Sequence, residues 1–287
     1  AGAFGAITEV IGNLFKSLGA FERIYDILND DDRNLATKTS KKISDPFPVK
    51  LVNVSFSYPN KTDQKTLDNI NLTIEKHKIT AIVGPSGAGK SSIFNILLKF
   101  FDISEGKISI GASNYSQLSK QDIRKHFSLV PQDPFMFSGS ICENIALSQN
   151  YDEEKIIQAL KAAQAYDFVE KLPQTIHTEI GENAAKISSG QKQRIAIARS
   201  VYHKSSIILL DEATSNIDNK NEKSFITSLE SLKKDHAIVI ISHKRETIEN
   251  SDYVYVIDNG TIVEEGDETK LLNKKGLYKS LLGMQSS

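Results

Sequence analysis

Phe4, Ile7, Ile11, Leu14, Leu18, Phe21, Tyr25 and Leu28 recur at steps of three and four, which lays them on one face of a helix over residues 1–30. Glu9, Asn13, Lys16, Glu22 and Arg23 interrupt the apolar run, so the predicted helix is amphipathic. Such a stripe packs on a neighbouring helix more often than on a membrane surface. The acidic stop Asn29-Asp30-Asp31-Asp32 ends it, and residues 31–49 read as an exposed linker, polar and closed by Pro46 and Pro48. From residue 50 the period changes to two. Val52, Val54, Phe56 and Tyr58 alternate with Asn53, Ser55 and Ser57, a strand with one buried face, and residues 67–74 form a second. Residues 80–83 are a strand leading through a Gly-rich loop into a helix that runs to Leu97. Residues 151–171 and 191–203 read as helices. The runs 207–210 and 237–241 are too short for helices and read as strands buried on both faces. Asp258-Asn259-Gly260 between two apolar runs is a tight hairpin turn. Helices alternating with buried strands predict an α/β fold with a mostly parallel sheet and an antiparallel β layer on its N-terminal side.

Composition narrows this picture without directing it. A 39% hydrophobic share provides ample core, and a net charge of −1 creates no field that would draw nucleic acid or an anionic membrane. Phosphate binding therefore needs a local site. The single cysteine, Cys142, excludes an internal disulfide, fits a reducing compartment, and reads as a buried, inert thiol. No stretch reaches the ~18 apolar residues needed to span a bilayer, and no signal peptide precedes the first helix. The opening at Ala1 inside a helical pattern points to a fragment of a longer protein.

Gly84-Pro85-Ser86-Gly87-Ala88-Gly89-Lys90-Ser91 fits the phosphate-loop spacing between a strand and a helix. Glycines let successive backbone N–H groups turn inward, and the helix N-terminus adds partial positive charge. Lys90 is expected at the β- and γ-phosphates and Ser91 at Mg²⁺. Asp211-Glu212 close the apolar strand 207–210. An Asp at such a strand end serves Mg²⁺, and the adjacent Glu can take a proton from an attacking water. Alone, that pair would be an ordinary solvated strand end.

The stretch Ile187-Ser188-Ser189-Gly190-Gln191-Lys192-Gln193-Arg194 resembles the signature motif of ABC ATPases. The family's usual form is Leu-Ser-Gly-Gly-Gln, so this chain departs from it at Ile187 and Ser189. Other pieces are similar to that family in the same order. Tyr58 matches the aromatic that stacks on adenine. Gln132, in Val130-Pro131-Gln132-Asp133-Pro134, matches the glutamine that meets Mg²⁺ and the attacking water. Ser215-Asn216-Ile217-Asp218 resembles the loop that crosses between subunits, and His243 matches the switch histidine at the γ-phosphate. The run 135–145 and the loop Thr178-Glu179-Ile180-Gly181-Glu182 resemble exporter-type domains. Residues 17–28 look like the cytoplasmic end of an exporter's last transmembrane helix.

The resemblance implies a P-loop NTPase (RecA-like) core with an antiparallel β subdomain and an α-helical subdomain at about 133–205. It places the first 30 residues at the end of a transmembrane helix, 31–49 as linker, and 50–287 as the ATPase domain. It implies ATP and Mg²⁺ as ligands. ATP would be bound by Tyr58, Gly84, Pro85, Ser86, Gly87, Ala88, Gly89, Lys90, Ser91 and Ser92, and by Ser188, Ser189, Gly190, Gln191 and Asp218. Mg²⁺ falls to Ser91, Gln132 and Asp211, and turnover to Glu212, His243, Gln132 and Lys90. The implied partners are a second ABC ATPase domain, like or unlike, arranged head to tail, and a fused membrane domain at the cytoplasmic face of a membrane; nucleic acid is not a partner. Ser189 adds a Cβ where the family has glycine, which is expected to crowd a phosphate. The alternatives are an import-type ABC subunit, which lacks a fused helix, and a soluble ABC ATPase acting on DNA or ribosomes. The latter carry coiled-coil insertions or basic arms, absent here.

Overall fold

The computed structural model describes residues 2–29, 43–60, 64–181, 187–213, 219–274 and 276–283. The chain divides into two compact units, residues 1–41 and 42–287. The first is the helix α1 (Gly2–Asn29). Ile7, Ile11, Leu14, Leu18, Phe21 and Tyr25 share the face that the stripe predicts and are exposed on it, and Val10, Phe15 and Ile24 are exposed as well. At about 100° per residue these widen the apolar face to about half the circumference. Among the described residues no helix is long and apolar enough to cross a membrane.

The second unit begins before the alternating pattern does. Pro46 is buried, and the carbonyls of Pro46 and Pro48 both accept from Gly111 N–H at 3.1 Å, so residues 43–48 are tied down. In chain order there follow β1 (Val49–Phe56), β2 (Leu67–Ile74), β3 (Ile79–Val83), α2 (Lys90–Leu97), β4 (Glu105–Ile110), β5 (Ser113–Asn114), α3 (Lys120–Arg124) and β6 (Phe127–Val130). Next come β7 (Gly139–Ser140), α4 (Ile141–Ala146), α5 (Glu153–Ala162), α6 (Tyr166–Val169), β8 (Glu179–Ile180) and α7 (Ser189–Tyr202). The last are β9 (Ile207–Asp211), α8 (Asn219–Leu232), β10 (Ala237–Ile241), α9 (Arg245–Glu249), β11 (Tyr253–Asp258), β12 (Thr261–Gly266), α10 (Glu268–Asn273) and α11 (Leu277–Leu281). The helix expected over 151–171 is two helices, because Gln164 turns left-handed at φ 50° between them. Asn259 and Gly260, at φ 46° and 76°, make the two-residue hairpin turn the sequence predicts between β11 and β12.

An antiparallel sheet runs β2-β1-β4-β5, and a six-stranded sheet runs β12-β11-β3-β10-β9-β6. In the latter, β11, β3, β10, β9 and β6 are parallel and β12 closes one edge antiparallel. The apolar runs are continuous because both faces of this sheet are covered. Ile208, Leu210, Ile238 and Ile240 point into a core shared with α4, α5, α7 and α8. Ile207, Leu209, Ala237, Val239 and Ile241 point into the opposite core, shared with the antiparallel sheet and α2. Period-two alternation thus survives inside a run that reads as uniformly apolar. Cys142 is fully buried, its Sγ donates to Ile176 O at 3.1 Å, and burial pushes the thiol up to about 11, as an inert thiol requires.

Candidate functional site

The register of the six-stranded sheet sets the site. Ile82 of β3 is level with Ile241 of β10, Ile241 with Asp211 of β9, and Leu210 with Val130 of β6. Four neighbouring strands therefore end together and deliver the loop 84–89, His243, Asp211-Glu212 and Gln132 along one row. Ligands of open α/β sheets bind at such carboxyl ends.

Gly84 takes φ 155°, and a Cβ there would fall 2.0 Å from the Ile257 carbonyl oxygen, so only glycine lets the loop leave β3 this way. Gly89 precedes α2 without a side-chain cap, so the helix presents its first N–H groups to the loop. Lys90 is 6% exposed, and its Nζ donates to the carbonyls of Gly84 (2.8 Å) and Pro85 (2.7 Å). Burial pulls its ammonium below the ordinary value, while the carboxylates of Glu212 and Asp211 pull it back up. Ser91 Oγ donates to Asp211 Oδ1 at 3.3 Å. Burial raises the Asp211 carboxyl, and the Ser91 hydrogen bond opposes the rise.

Glu212 sits just past β9 at φ 47°, a left-handed conformation that is uncommon for a non-glycine residue. Its N–H is held by Ile241 O (3.0 Å), and its Oε1 lies 3.4 Å from His243 Nε2. Tyr58 is half-buried at the end of the first strand. Its hydroxyl is within 3.0 Å of Ser92 Oγ and accepts from Asn95 Nδ2 at 2.9 Å. Its ring stands edge-on to Phe56 (4.8 Å) and Phe101 (5.1 Å). Asn95 and Phe101 were not singled out from the sequence. They fix the orientation of the tyrosine that was.

The structure thus gathers residues 84–92, 211–212, 243 and 132. Residues 188–191 belong to another element. Ser188 is the N-cap of α7, its Oγ accepts from Gln191 N–H (3.3 Å), and Gln191 Oε1 accepts from Ser188 N–H (3.0 Å), a reciprocal capping box. Ser189 is the first residue of the helix and is not among the positive-φ positions, so serine here carries no backbone strain. Asp218 and its neighbours 214–217 lie outside the described residues.

A second set of contacts was not legible as function. Fully buried Gln193 of α7 donates from Nε2 to the Gln132 carbonyl at 3.2 Å. Arg199 Nη2 donates to Phe135 O (3.3 Å), and Asn144 takes both polar groups of Phe137, accepting from its N–H at 2.8 Å and donating to its carbonyl at 2.9 Å. One signal was present. Gln193 is a polar residue on the apolar face of α7, in line with Ala196 and Ile197.

Residues 67–215 match the family model described as ABC transporter. The chain belongs to the ABC transporter family. Its fold is the ABC ATPase domain, a P-loop NTPase core preceded by a helix. Over 286 residues it is 43% identical to the ATP-dependent lipid A-core flippase of Haemophilus influenzae strain Rd, covering 98% of this chain and 48% of the flippase. It is 35% identical to ABC transporter B family member 4 of Dictyostelium discoideum over 99% of this chain and 37% of that one. A solved bacterial Atm1-family ABC exporter with ATP bound superposes with a TM-score of 0.79 at 34% identity, over 86% of this chain and 43% of the exporter. The chain spans about half the length of the curated flippases it matches.

The donor set of this ABC domain suits ATP with Mg²⁺. Ser91 hydroxyl and Asp211 carboxylate are hard oxygen donors already within hydrogen-bond reach. Among the described residues no group of three His, Cys, Asp or Glu side chains is arranged to hold a metal ion by itself. A cation here would take its remaining ligands from phosphate and water, which is how Mg²⁺ is usually held.

Proposed function

We propose that this chain is the ATP-binding and ATP-hydrolysing domain of an ABC exporter, working at the cytoplasmic face of a membrane beside a fused transmembrane domain. The observation that carries the reading is the row of strand ends, which lines a lysine, an acid pair, a histidine and a glutamine along one edge of the sheet. Export is favoured over import by the relatives, which are named as flippases and an exporter.

The loop 84–89 offers backbone N–H groups to the phosphates, and Lys90 exchanges the Gly84 and Pro85 carbonyls for β- and γ-phosphate oxygens. Ser91 and Asp211, with Gln132 from the loop after β6, would hold Mg²⁺, which when bound supplies positive charge that offsets the charge developing on the phosphates. Glu212 accepts the proton of the attacking water, and His243, 3.4 Å away, orients it and reaches the terminal phosphate. Tyr58 stacks on adenine from its fixed position.

The other side of the nucleotide is closed by the 188–191 segment of a second ABC domain, with Asp218 contributing at the same junction. Because Ser188 Oγ accepts from Gln191 N–H, its own hydrogen remains to donate to a γ-phosphate oxygen. The first N–H groups of α7, through Ser189 and Gly190, point the same way. Binding draws two domains together and hydrolysis releases them, since the contacts being lost are those of the γ-phosphate.

Glu212→Gln is the deciding variant. It is expected to bind ATP normally, lose about 10²–10⁴-fold in turnover, and accumulate as a dimer with ATP on size exclusion. Wild-type turnover in this variant would remove Glu212 as the base, and failure of the unaltered chain to bind ATP would remove the whole reading.

A further inference from the structure

Gln193 is fully buried on α7, and its Nε2 grips the backbone carbonyl of Gln132, sixty-one positions earlier, at 3.2 Å. Its Oε1 is buried and, among the described residues, has no hydrogen-bond partner. A carbonyl shut away from water without a donor lowers stability. A residue kept only to fill space has no need of that cost, which directs attention to the bond its Nε2 makes. What the glutamine adds is the grip.

The grip falls at a junction. Val130 ends β6 and is paired with Leu210, the residue before Asp211, so the chain up to that point belongs to the sheet. Beyond it, residues 131–138 are in no strand or helix, and side chains from the helices hold the backbone instead. Gln193 holds residue 132, Arg199 holds 135, and Asn144 holds both polar groups of 137. Two of these three side chains stand on α7, the helix whose N-cap is Ser188. Gln132 is therefore fastened on one side to the sheet that carries Glu212 and on the other to the helix that carries Ser188.

We propose that Gln193 is a positioning residue that locks the backbone of Gln132 to α7, so that Gln132 keeps step with Ser188 and ATP turnover depends on Gln193 from behind the site. The proposal rests on reading residues 84–92, 132 and 212 as one side of an ATP site and Ser188 as the cap over a second copy's site. It separates two properties that a packing role would move together, because the bond Gln193 makes is to Gln132, which belongs to turnover and not to the loop that grips the phosphates.

The test compares the unaltered chain, Gln193→Leu and Gln193→Glu in steady-state ATP turnover and in binding of a fluorescent ATP analogue. Gln193→Leu is expected to keep analogue affinity within about twofold and a thermal midpoint at or above that of the unaltered chain, yet to lose roughly tenfold or more in kcat, as a misplaced group does. Burial favours the neutral acid of Gln193→Glu, whose O–H can donate to the Gln132 carbonyl. Its turnover relative to the unaltered chain should be nearly complete at low pH and fall as pH rises through the raised carboxyl pKa. An unchanged kcat in Gln193→Leu, a joint loss of affinity and kcat, or a Gln193→Glu profile parallel to that of the unaltered chain overturns the proposal. If Gln193→Leu does not fold, Gln193→Met and the pH profile carry the decision. An unaltered chain that binds no analogue sinks the ATP reading instead, and the two failures are told apart by that control.

Discussion

Glu212 occupies a backbone well that most side chains avoid, at φ 47°, while its N–H is held by Ile241 O. A left-handed residue with a Cβ lies roughly 1–2 kcal/mol above its relaxed conformation. Strain of this kind persists where the surroundings over-determine it, and it gathers at sites of chemistry. Glu212→Gly relieves the strain and removes the proton acceptor. Its urea midpoint should correspond to about 1 kcal/mol more stability than the parent's, with phosphate release abolished. A lower midpoint would show that the left-handed turn carries no strain. At this scale the sequence was a good guide to which side chains the fold brings together. Lys90, Asp211, Glu212 and His243 stand in spacings that few other arrangements require, and the structure brings them to one edge. Gln193 and Asn144 were opaque, because what matters about them is a bond to backbone far away in the chain.

Elements were legible where the local pattern and the tertiary environment demand the same thing. The runs 207–210 and 237–241 are apolar throughout because helices cover one face of the sheet and the antiparallel layer covers the other. The β11–β12 turn carries Asn-Gly, the pair that its two positive φ angles call for. Reading failed where one weak signal had to decide. The break at Gln164 has neither glycine nor proline to mark it, β6 is only four residues long, and α8 shows its buried face through little more than Phe225, Leu229 and Leu232. The strand-to-helix turn at 84–89 gives a sharper test. A Cβ added at Gly84 would meet the Ile257 carbonyl at 2.0 Å, whereas a Cβ at Gly87, φ 80°, meets nothing within 4 Å. Gly84→Ala is expected to lower stability by roughly 2–4 kcal/mol and Gly87→Ala by about 1–2 kcal/mol. Denaturant midpoints that rank the two the other way would mean the loop is free to shift away from β11.

For the molecule as a whole, the proposed pairing makes each ATP site a composite of Lys90 from one copy and Ser188 from another. Lys90→Ala and Ser188→Ala should each be inactive alone. Mixed in equal amounts, half of the pairs are hybrids and each hybrid has one intact site of two, so turnover should recover to about a quarter of the parent's. No recovery on mixing would argue for sites complete within one copy. The sheet order adds a consequence for how the chain is made. Along the sheet the strands run β3, β10, β9, β6, whereas along the chain β10 is the last of these four. Until residue 241 has emerged during synthesis, β3 and β9 have an empty lane between them. A nascent chain can thus carry every residue of the phosphate loop and still lack the binding edge, which makes nucleotide a ligand of the finished sheet and a late stabiliser of it by mass action.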